Sequence, residues 1–586
     1  MGSHHAAGEF GGDLYMVVKL SKKIHKRESE SFNLRAIGIV TILLVTLYSC
    51  KKNEDDPSPT AVNFNLKTWS VNSIQGQSTN YDVSPNPSIR LRFGAAIDKN
   101  TVSSNVTIKD KNGSTVNSNI SYADADSTLV VQPASLLNYL SKYKVSVGNQ
   151  LKSTNGGNIT NPTEIFLTTS IDSSRKFPLI SEDALLDTVQ RRTFKYFWDL
   201  AHPTSGLARE RNADANTFTS GGTGFGIMAI VVAVNRNFIS RAEGLTRLQA
   251  MVSFLINTAE TFHGAFPHWI NGTTGKTIPF SPNDDGADLV ETSYLVQGLL
   301  TARQFFNGVG APETDLRNDI NTVIDRVEWD WFRKNNENVL YWHWSSSNAN
   351  GWIMNMQIKG WNEALITYVL AASSSTHSVP KIVYDNGWAS SGAMTNGNVY
   401  YGYQLPLGPE LGGPLFFSHY SFLGINPNGL SDTYASYETQ TKNHTLINYE
   451  YCRQNPGKYF GYSDSTWGLT ASDVPNGYNA NSPTNDIGVI TPTAAISSLP
   501  YTPVESMKAL KFFYYVLGDK VWKEYGFADA FSLKDIWFAD SFLAIDQGPI
   551  IVMIENYRSG LLWNLFTSCP EVKLGMRALG FSAPYL

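Results

Sequence analysis

The sequence predicts a two-part, mainly α protein: an N-terminal antiparallel β-sandwich followed by a larger domain of α/α toroid type. Three observations carry that expectation. At 586 residues the chain is too long for one ordinary domain. Residues of about 62–171 are rich in Ser, Thr, Asn and Val, in short stretches that alternate apolar with polar positions. From about Ser181 onward apolar residues recur at helical spacing, in blocks separated by aromatic and Gly-rich loops.

Taken in order, the chain opens with a leader over residues 1–49. Residues 1–15, with Met-Gly-Ser-His-His, read as vector-encoded sequence, and Met16 as the natural start. Lys19, Lys22, Lys23, Lys26, Arg27 and Arg35 then form a positive region ahead of a short apolar run, Ala36–Leu47. That run is too short to span a bilayer stably. It ends at Leu47-Tyr48-Ser49-Cys50, which resembles a bacterial lipoprotein box with Cys50 as the lipidated residue. Residues 50–61 follow as a polar tether whose acidic run resembles a surface-export signal. The expected location is the cell envelope, as an outer-membrane lipoprotein facing the periplasm or the exterior.

The sandwich, residues 62–171, is read from Ser88–Phe93, Val106–Lys109, Ser127–Val131 and Tyr143–Val147, with turn signals at Lys111-Asn-Gly113 and Asn155-Gly-Gly157. About seven strands are expected. The module looks like the bacterial Ig-like domains that precede secreted hydrolases. A spacer role is favoured over carbohydrate binding, because no exposed aromatic cluster stands out.

The helical domain, residues 172–586, is expected to contain Asp183–Leu200, Gly224–Asn235, Arg241–Thr261, Leu289–Phe306, Glu363–Ala372, Val504–Leu517 and Ile550–Phe566. Gly221-Gly-Thr-Gly-Phe-Gly226 lacks the preceding strand of a nucleotide loop and reads as a tight turn near substrate. Thr502-Pro-Val-Glu505 reads as a capping box with Pro at the first helical position.

Composition narrows the function. A net charge of -5 and no basic stripe beyond the leader argue against nucleic acid. Aromatic residues make up 12%, with 14 Trp and 28 Tyr, and such rings suit the C–H faces of sugars. A large aromatic core would have the same composition. Cys452 and Cys569 remain once Cys50 is set aside; a bridge between them is neither required nor excluded. No Cys/His spacing fits zinc, and no metal or cofactor is expected. A monomer is expected.

Three acidic places carry the chemistry. Ile278–Tyr294 sets Asp284, Asp288 and Glu291 on one face, with Asp285 beside them, where a loop enters a helix. Helix-dipole complementarity accounts for Asp284 and Asp285 but not for Asp288 and Glu291. The second is Gly360-Trp361-Asn362-Glu363, where an aromatic-wrapped Glu363 would hold its proton near neutrality, or else complement a helix start. The third is Asp546-Gln547 ahead of Pro549, with Glu555 and Arg558 expected to pair and frame the pocket. Asp473 is a candidate substrate ligand. His268, Trp269, Trp342, Trp344, Trp352 and Trp467 suggest a cleft as a set, though any single one suits packing equally.

At Pro282–Tyr294, Gly360–Glu363, Trp467–Asp473 and Ala544–Pro549 through Arg558 the chain resembles the bacterial glucoamylase-like domain, and in particular glycoside hydrolase family 144. The resemblance covers roughly residues 181–583, with the motifs in the same order. It implies an (α/α)6 barrel, an inverting mechanism and β-1,2-glucan as substrate, with endo action favoured over exo release of sophorose. It also implies that Asp284, Asp288, Glu291, Glu363 and Asp546 are the catalytic set. Glu363 is then expected to be the acid, and Asp546 the residue that activates water directly or through a relay. His268, Trp269, Trp361, Asn362, Trp342, Trp344, Trp467, Asp473, Gln547, Glu555 and Arg558 are expected to bind substrate. The competing classes are a non-catalytic glycan-binding lipoprotein, which needs no buried acids, and a lyase, which needs a basic cleft. Whether a loop such as 388–416 closes one end of the cleft decides endo against exo action.

Overall fold

The computed structural model describes residues 64–586, and divides them after Asp172 into two compact units. The leader, the tether and Cys50 lie outside the described residues.

The first unit is a sandwich of two five-stranded sheets. Its strands are β1 (Leu66–Val71), β2 (Ile74–Gln75), β3 (Thr79–Val83), β4 (Ile89–Phe93), β5 (Val106–Asp110), β6 (Thr115–Val116), β7 (Ser118–Ala123), β8 (Thr128–Pro133), β9 (Lys142–Val147) and β10 (Thr163–Thr169). One sheet runs β2-β1-β4-β8-β7 and the other β3-β10-β9-β5-β6. The alternation read in the sequence is the burial pattern: Ile89, Leu91 and Phe93 face inward, as do Tyr143, Val145 and Val147. Ten strands form rather than about seven, two of them only two residues long. β3 pairs parallel to β10, so the sandwich is not wholly antiparallel.

The second unit is rich in helix. In chain order its principal helices are α1 (Glu182–Asp199), α2 (Ser220–Asn235), α3 (Arg241–Asn257), α4 (Leu289–Phe305), α5 (Ala311–Asp325), α6 (Leu365–Ser373), α7 (Lys381–Asn386), α8 (Tyr437–Gln454), α9 (Pro492–Ile496), α10 (Pro503–Tyr515), α11 (Ala544–Ser559), α12 (Leu561–Thr567) and α13 (Pro570–Leu579). The expected block Ile550–Phe566 is two helices, because Gly560 takes a left-handed φ of 69° between them.

From α1 to α11, half-buried helices alternate with buried segments. α1, α3, α5 and α10 bury one stripe, whereas α2, α4, α6, α9 and most of α11 are enclosed. The buried segments touch one another in sequence. Gly224 of α2 lies against α4, where an added Cβ would sit 2.1 Å from the Tyr294 carbonyl oxygen. Ser293 of α4 meets Thr367 of α6 at 2.8 Å, and the Ile366 amide donates to Ser421 at 3.0 Å. The short turns around Ser418–Ser421 receive the Tyr501 hydroxyl at 2.8 Å, just after α9. Thr493 of α9 donates to the Asp546 carbonyl of α11 at 2.9 Å, and Gly548 of α11 lies under Phe225 of α2.

Two expectations are corrected here. Gly221–Gly226 is not a turn but the first two turns of α2, where glycines let helix backbones approach. The Thr502 side chain caps no amide: its hydroxyl meets the Ser498 carbonyl behind it and the Ser506 hydroxyl ahead of it, although Pro503 does open α10. Cys452 and Cys569 are separate buried thiols, so no bridge joins them.

Candidate active site

The buried helices present their N-termini at one end of the domain, and the acids sit there. Asp288 is the N-cap of α4: its Oδ1 accepts from the Val290 and Glu291 amides at 3.0 and 2.9 Å. Its Oδ2 faces His268 Nδ1 at 3.0 Å. The strand pairing of Asp288 with His343 brings a second histidine, whose Nδ1 lies 3.4 Å from Asp284 Oδ1 and 3.8 Å from Asp288 Oδ2. Glu291, one turn into α4, accepts from the Gly221 amide at 2.9 Å and the Thr219 hydroxyl at 3.1 Å.

The electrostatics of this bank are set by crowding in a desolvated place. Burial alone would lower the pKa of His268, but Glu291, Asp288 and Asp284 carry it up to about 10. His343 is also raised, because Asp284 and Asp288 outweigh its burial. Burial pushes Asp288 up, yet the two histidines and the Glu291 amide hold it below the usual carboxylate range. Glu291 is raised, first by burial and then by Asp288, against the opposing pull of His268. Among the described residues, His268, Asp284 and Asp288 bring ligand-type atoms within 4.8 Å of one another. That trio fits a metal poorly, since both oxygens of Asp288 are taken, Oδ1 by two backbone amides and Oδ2 by His268 Nδ1.

Glu363 lies between this bank and a second one, immediately before α6. Burial raises it to about 7, helped by the charges of Glu291 and Asp288. Its backbone carbonyl is fixed by the hydroxyls of Ser421 and Tyr294. Tyr294 and Tyr420 meet edge-to-face at 5.7 Å between ring centres and pack against Phe225. The Tyr420 hydroxyl is raised by burial and by Asp546, Tyr478, Tyr294 and Glu363 around it, which makes it the bridge between the two banks.

The second bank is built on Asp546, in the first turn of α11. The residue is 1% exposed, and neither carboxylate oxygen has a donor among the described residues. Asp529 faces it, buried, and accepts the Asp473 amide at 2.7 Å. The Asp473 carboxylate is held by Arg211 at 3.1 Å, and Arg211 also pairs with Glu210 at 2.8 Å. The structure thus brings Asp284, Asp288, Glu291, Glu363, Asp546, Asp473 and His268 to one end of the domain.

Other candidates are placed elsewhere or given other work. Trp361 points into an aromatic core with Trp388, Phe422 and Tyr437, so it does not wrap Glu363. Asn362 accepts the Ala364 amide at 2.9 Å and serves the start of α6. Trp467 is wholly buried and donates to the Glu505 carbonyl. Trp269 packs on Phe280 and His268, and Trp342 lies parallel to His343. Trp344 joins Trp331, Phe262 and His263, with Trp352 stacked on Trp331. Gln547 is buried and donates to the Phe527 carbonyl at 3.0 Å. Glu555 and Arg558 do not pair. Glu555 binds Arg236 at 2.7 Å, Arg558 binds Gln190 and Asp183, and both sit more than two turns along α11 from Asp546. They tie α11 to α1 and α2 instead of framing the cleft.

Sequence reasoning passed over Asp529, Glu210, Arg211 and His343 as site residues. Asp529 carried a legible signal: it is a lone acid inside the apolar run Phe527-Ala-Asp-Ala-Phe531.

Residues 355–570 match the family described as "Putative glucoamylase", and residues 67–169 match the bacterial Ig-like domain. A curated relative, the exo β-1,2-glucooligosaccharide sophorohydrolase (non-reducing end) of Parabacteroides distasonis, is 46% identical over 429 residues. That alignment covers 70% of this chain, and this chain spans 59% of that relative's length. A crystal structure of a "putative glucoamylase" from Bacteroides uniformis is 54% identical with a TM-score of 0.69, covering 70% of this chain and 100% of that one. The endo-β-1,2-glucanase of Chitinophaga pinensis, solved with sophorotriose and glucose, is 50% identical with a TM-score of 0.68, again covering 70% of this chain and all of its own.

Proposed function

Because the chain belongs to the bacterial glucoamylase-like family, of the glycoside hydrolase family 144 type, we propose that it is a hydrolase of β-1,2-glucan. The observation that carries this reading is Glu363, a recessed carboxyl held protonated up to about 7, set between two acidic banks. Glycoside hydrolysis needs one carboxyl that is protonated and another that serves water. Glu363 gives its proton to the leaving glycosidic oxygen. Asp546 receives the proton of the attacking water, directly or through a relay, and the product forms with inversion. Asp284 and Glu291, with His268 beside them, hold sugar hydroxyls or tune the proton relay, while Asp288, engaged on both oxygens, orients His268; a protonated imidazole donates where the carboxylates accept.

The helical domain is an (α/α)6 toroid in this reading, its cleft lying at the helix N-termini. Endo action is the primary mode, supported by the 50% identity to an endo-acting enzyme. Exo release of sophorose is the second reading, supported by the 46% identity to an exo-acting relative. A lyase is disfavoured because the cations described at the cleft, Arg211, His268 and His343, already face acids. Lipidation at Cys50 would place the enzyme in the cell envelope, with the Ig-like domain as a spacer.

Incubation with linear β-1,2-glucan, with products resolved by size over time, tests the proposal. An early ladder of oligosaccharides establishes endo action, and sophorose alone from the start establishes exo action. Binding without any product would return the chain to the glycan-binding class.

A further inference from the structure

Two carboxyl groups meet on the Asp546 bank with no cation between them. Asp546 is enclosed and receives no N–H or hydroxyl donor on either oxygen. Asp529 lies within hydrogen-bonding reach of it, and Asp529 Oδ1 has no other partner. Asp529 Oδ2 differs, for it accepts the Asp473 amide at 2.7 Å. The charged and titratable groups facing the pair are Asp473, Glu210, Arg211, Tyr478, Tyr420 and Tyr196. Arg211 makes its hydrogen bonds to Glu210 and Asp473 and touches neither member of the pair, although its charge favours ionisation of Asp529 over Asp546.

Two carboxylates in contact in a water-poor place do not both ionise; they hold one proton between them. Burial raises both groups, Asp529 to about 7. The backbone amide of Asp473 stabilises charge on Asp529 alone. The proton therefore rests on Asp546 and is donated to Asp529, leaving the second Asp546 oxygen free to accept.

We propose that Asp529 is the terminal proton acceptor of the hydrolysis and acts through Asp546, which is a relay. This rests on the reading above that Asp546 serves the attacking water. As the water oxygen bonds to the anomeric carbon, its proton passes to the free oxygen of Asp546. The proton already on Asp546 passes from the other oxygen to Asp529. The glycosidic C–O bond breaks, and its electron pair goes to the leaving oxygen, which takes the proton of Glu363. Asp546 ends with one proton as it began, Asp529 is neutral and Glu363 is ionised. Exchange with solvent then restores both. Asp529 acts only through Asp546 in this scheme and is a positioning residue for the proton.

The test is steady-state kinetics on β-1,2-glucan across pH for wild type, Asp529→Asn, Asp546→Asn and the double variant, with thermal stability measured for each. Asn at 529 can still accept the Asp473 amide through its Oδ1 and turns an N–H donor toward Asp546 where Asp529 accepted, so it cannot take up a proton. The expected result for Asp529→Asn is a kcat at least about 100-fold lower with KM and Tm unchanged. Its acid limb should move away from that of wild type, where Asp529 titrates. The double variant should be no slower than the slower single variant, since the two side chains act as one unit. An unaltered kcat and acid limb in Asp529→Asn, or losses that multiply in the double variant, would overturn the proposal. Should Asp529→Asn fail to fold, infrared spectroscopy decides. A protonated-carboxyl band near neutrality that persists in Glu363→Gln and is lost when Asp546→Asn is added supports the shared proton, and its absence from Glu363→Gln refutes it. Wild type that releases nothing from β-1,2-glucan refutes the functional reading and the relay together. Wild-type turnover with an unaffected Asp529→Asn removes Asp529 alone.

Discussion

At the scale of single residues, the cleft is a contest between burial and neighbouring charge, and Glu363 is where burial wins. Its raised proton affinity fixes two pH effects with the same sign. Activity requires the protonated form, so kcat should fall as pH rises through about 7, and a pH–rate profile checks this. The folded state also binds that proton more tightly than the unfolded chain, whose ordinary value is 4.5. Stability from this group is therefore present at pH below 4.5 and is lost as pH rises through about 7. Glu363→Gln should lower kcat by about 10²–10⁴-fold, keep glucan binding, and flatten the fall of Tm between those pH values. A variant that keeps wild-type turnover removes Glu363 from the acid role. The acids themselves were legible because carboxylates beside aliphatic residues at a helix start have few structural uses. Their partners were not, since His343 reaches Asp288 by strand pairing and His268 from the loop just before the strand Trp269–Asn271, and contacts between distant segments leave no trace in local spacing.

At the scale of elements, helix positions followed from apolar periodicity, and the errors came where one residue has two uses. Gly224 looked like a turn former, yet it is a contact residue between α2 and α4. Gly224→Ala would put a methyl group 2.1 Å from the Tyr294 carbonyl, against backbone that cannot yield. It should cost about 1–3 kcal/mol in denaturant unfolding and reduce kcat through displacement of Glu291 and Tyr294. The Glu555–Arg558 pair was predicted from i, i+3 spacing, but half-buried Arg236, at the C-terminal end of α2, offers Glu555 a bidentate partner at 2.7 and 2.9 Å. Spacing along one helix says nothing about what the neighbouring helix presents. Glu555→Gln should therefore destabilise by about 3 kcal/mol, because a guanidinium is left without its charge partner, while kcat/KM of the folded enzyme stays unchanged. A raised KM with full stability would instead return Glu555 to the substrate site.

At the scale of the whole molecule, the change in composition near residue 171 marked the division between units, because a sandwich and a helical domain bury different patterns. Each unit has its own core. Phe64, Leu91, Val145 and Ile165 belong to one cluster, and Phe225, Leu295, Tyr368 and Val552 to the other. Separate cores allow separate folding, so calorimetry of the full chain should resolve two unfolding transitions. Every residue of the two acidic banks lies between Glu210 and Asp546, inside the helical unit. A chain of residues 173–586 should therefore keep the wild-type kcat/KM on soluble β-1,2-glucan. The sandwich could still contribute on a substrate that is anchored or polymeric, where a second attachment raises local concentration without altering chemistry. Comparing the full chain with residues 173–586 on short oligosaccharides and on long glucan separates the cases. Equal rates on both substrates make the sandwich a spacer. A loss confined to long glucan makes it a binding module, and the same loss on both would mean that the helical unit depends on the sandwich for its fold.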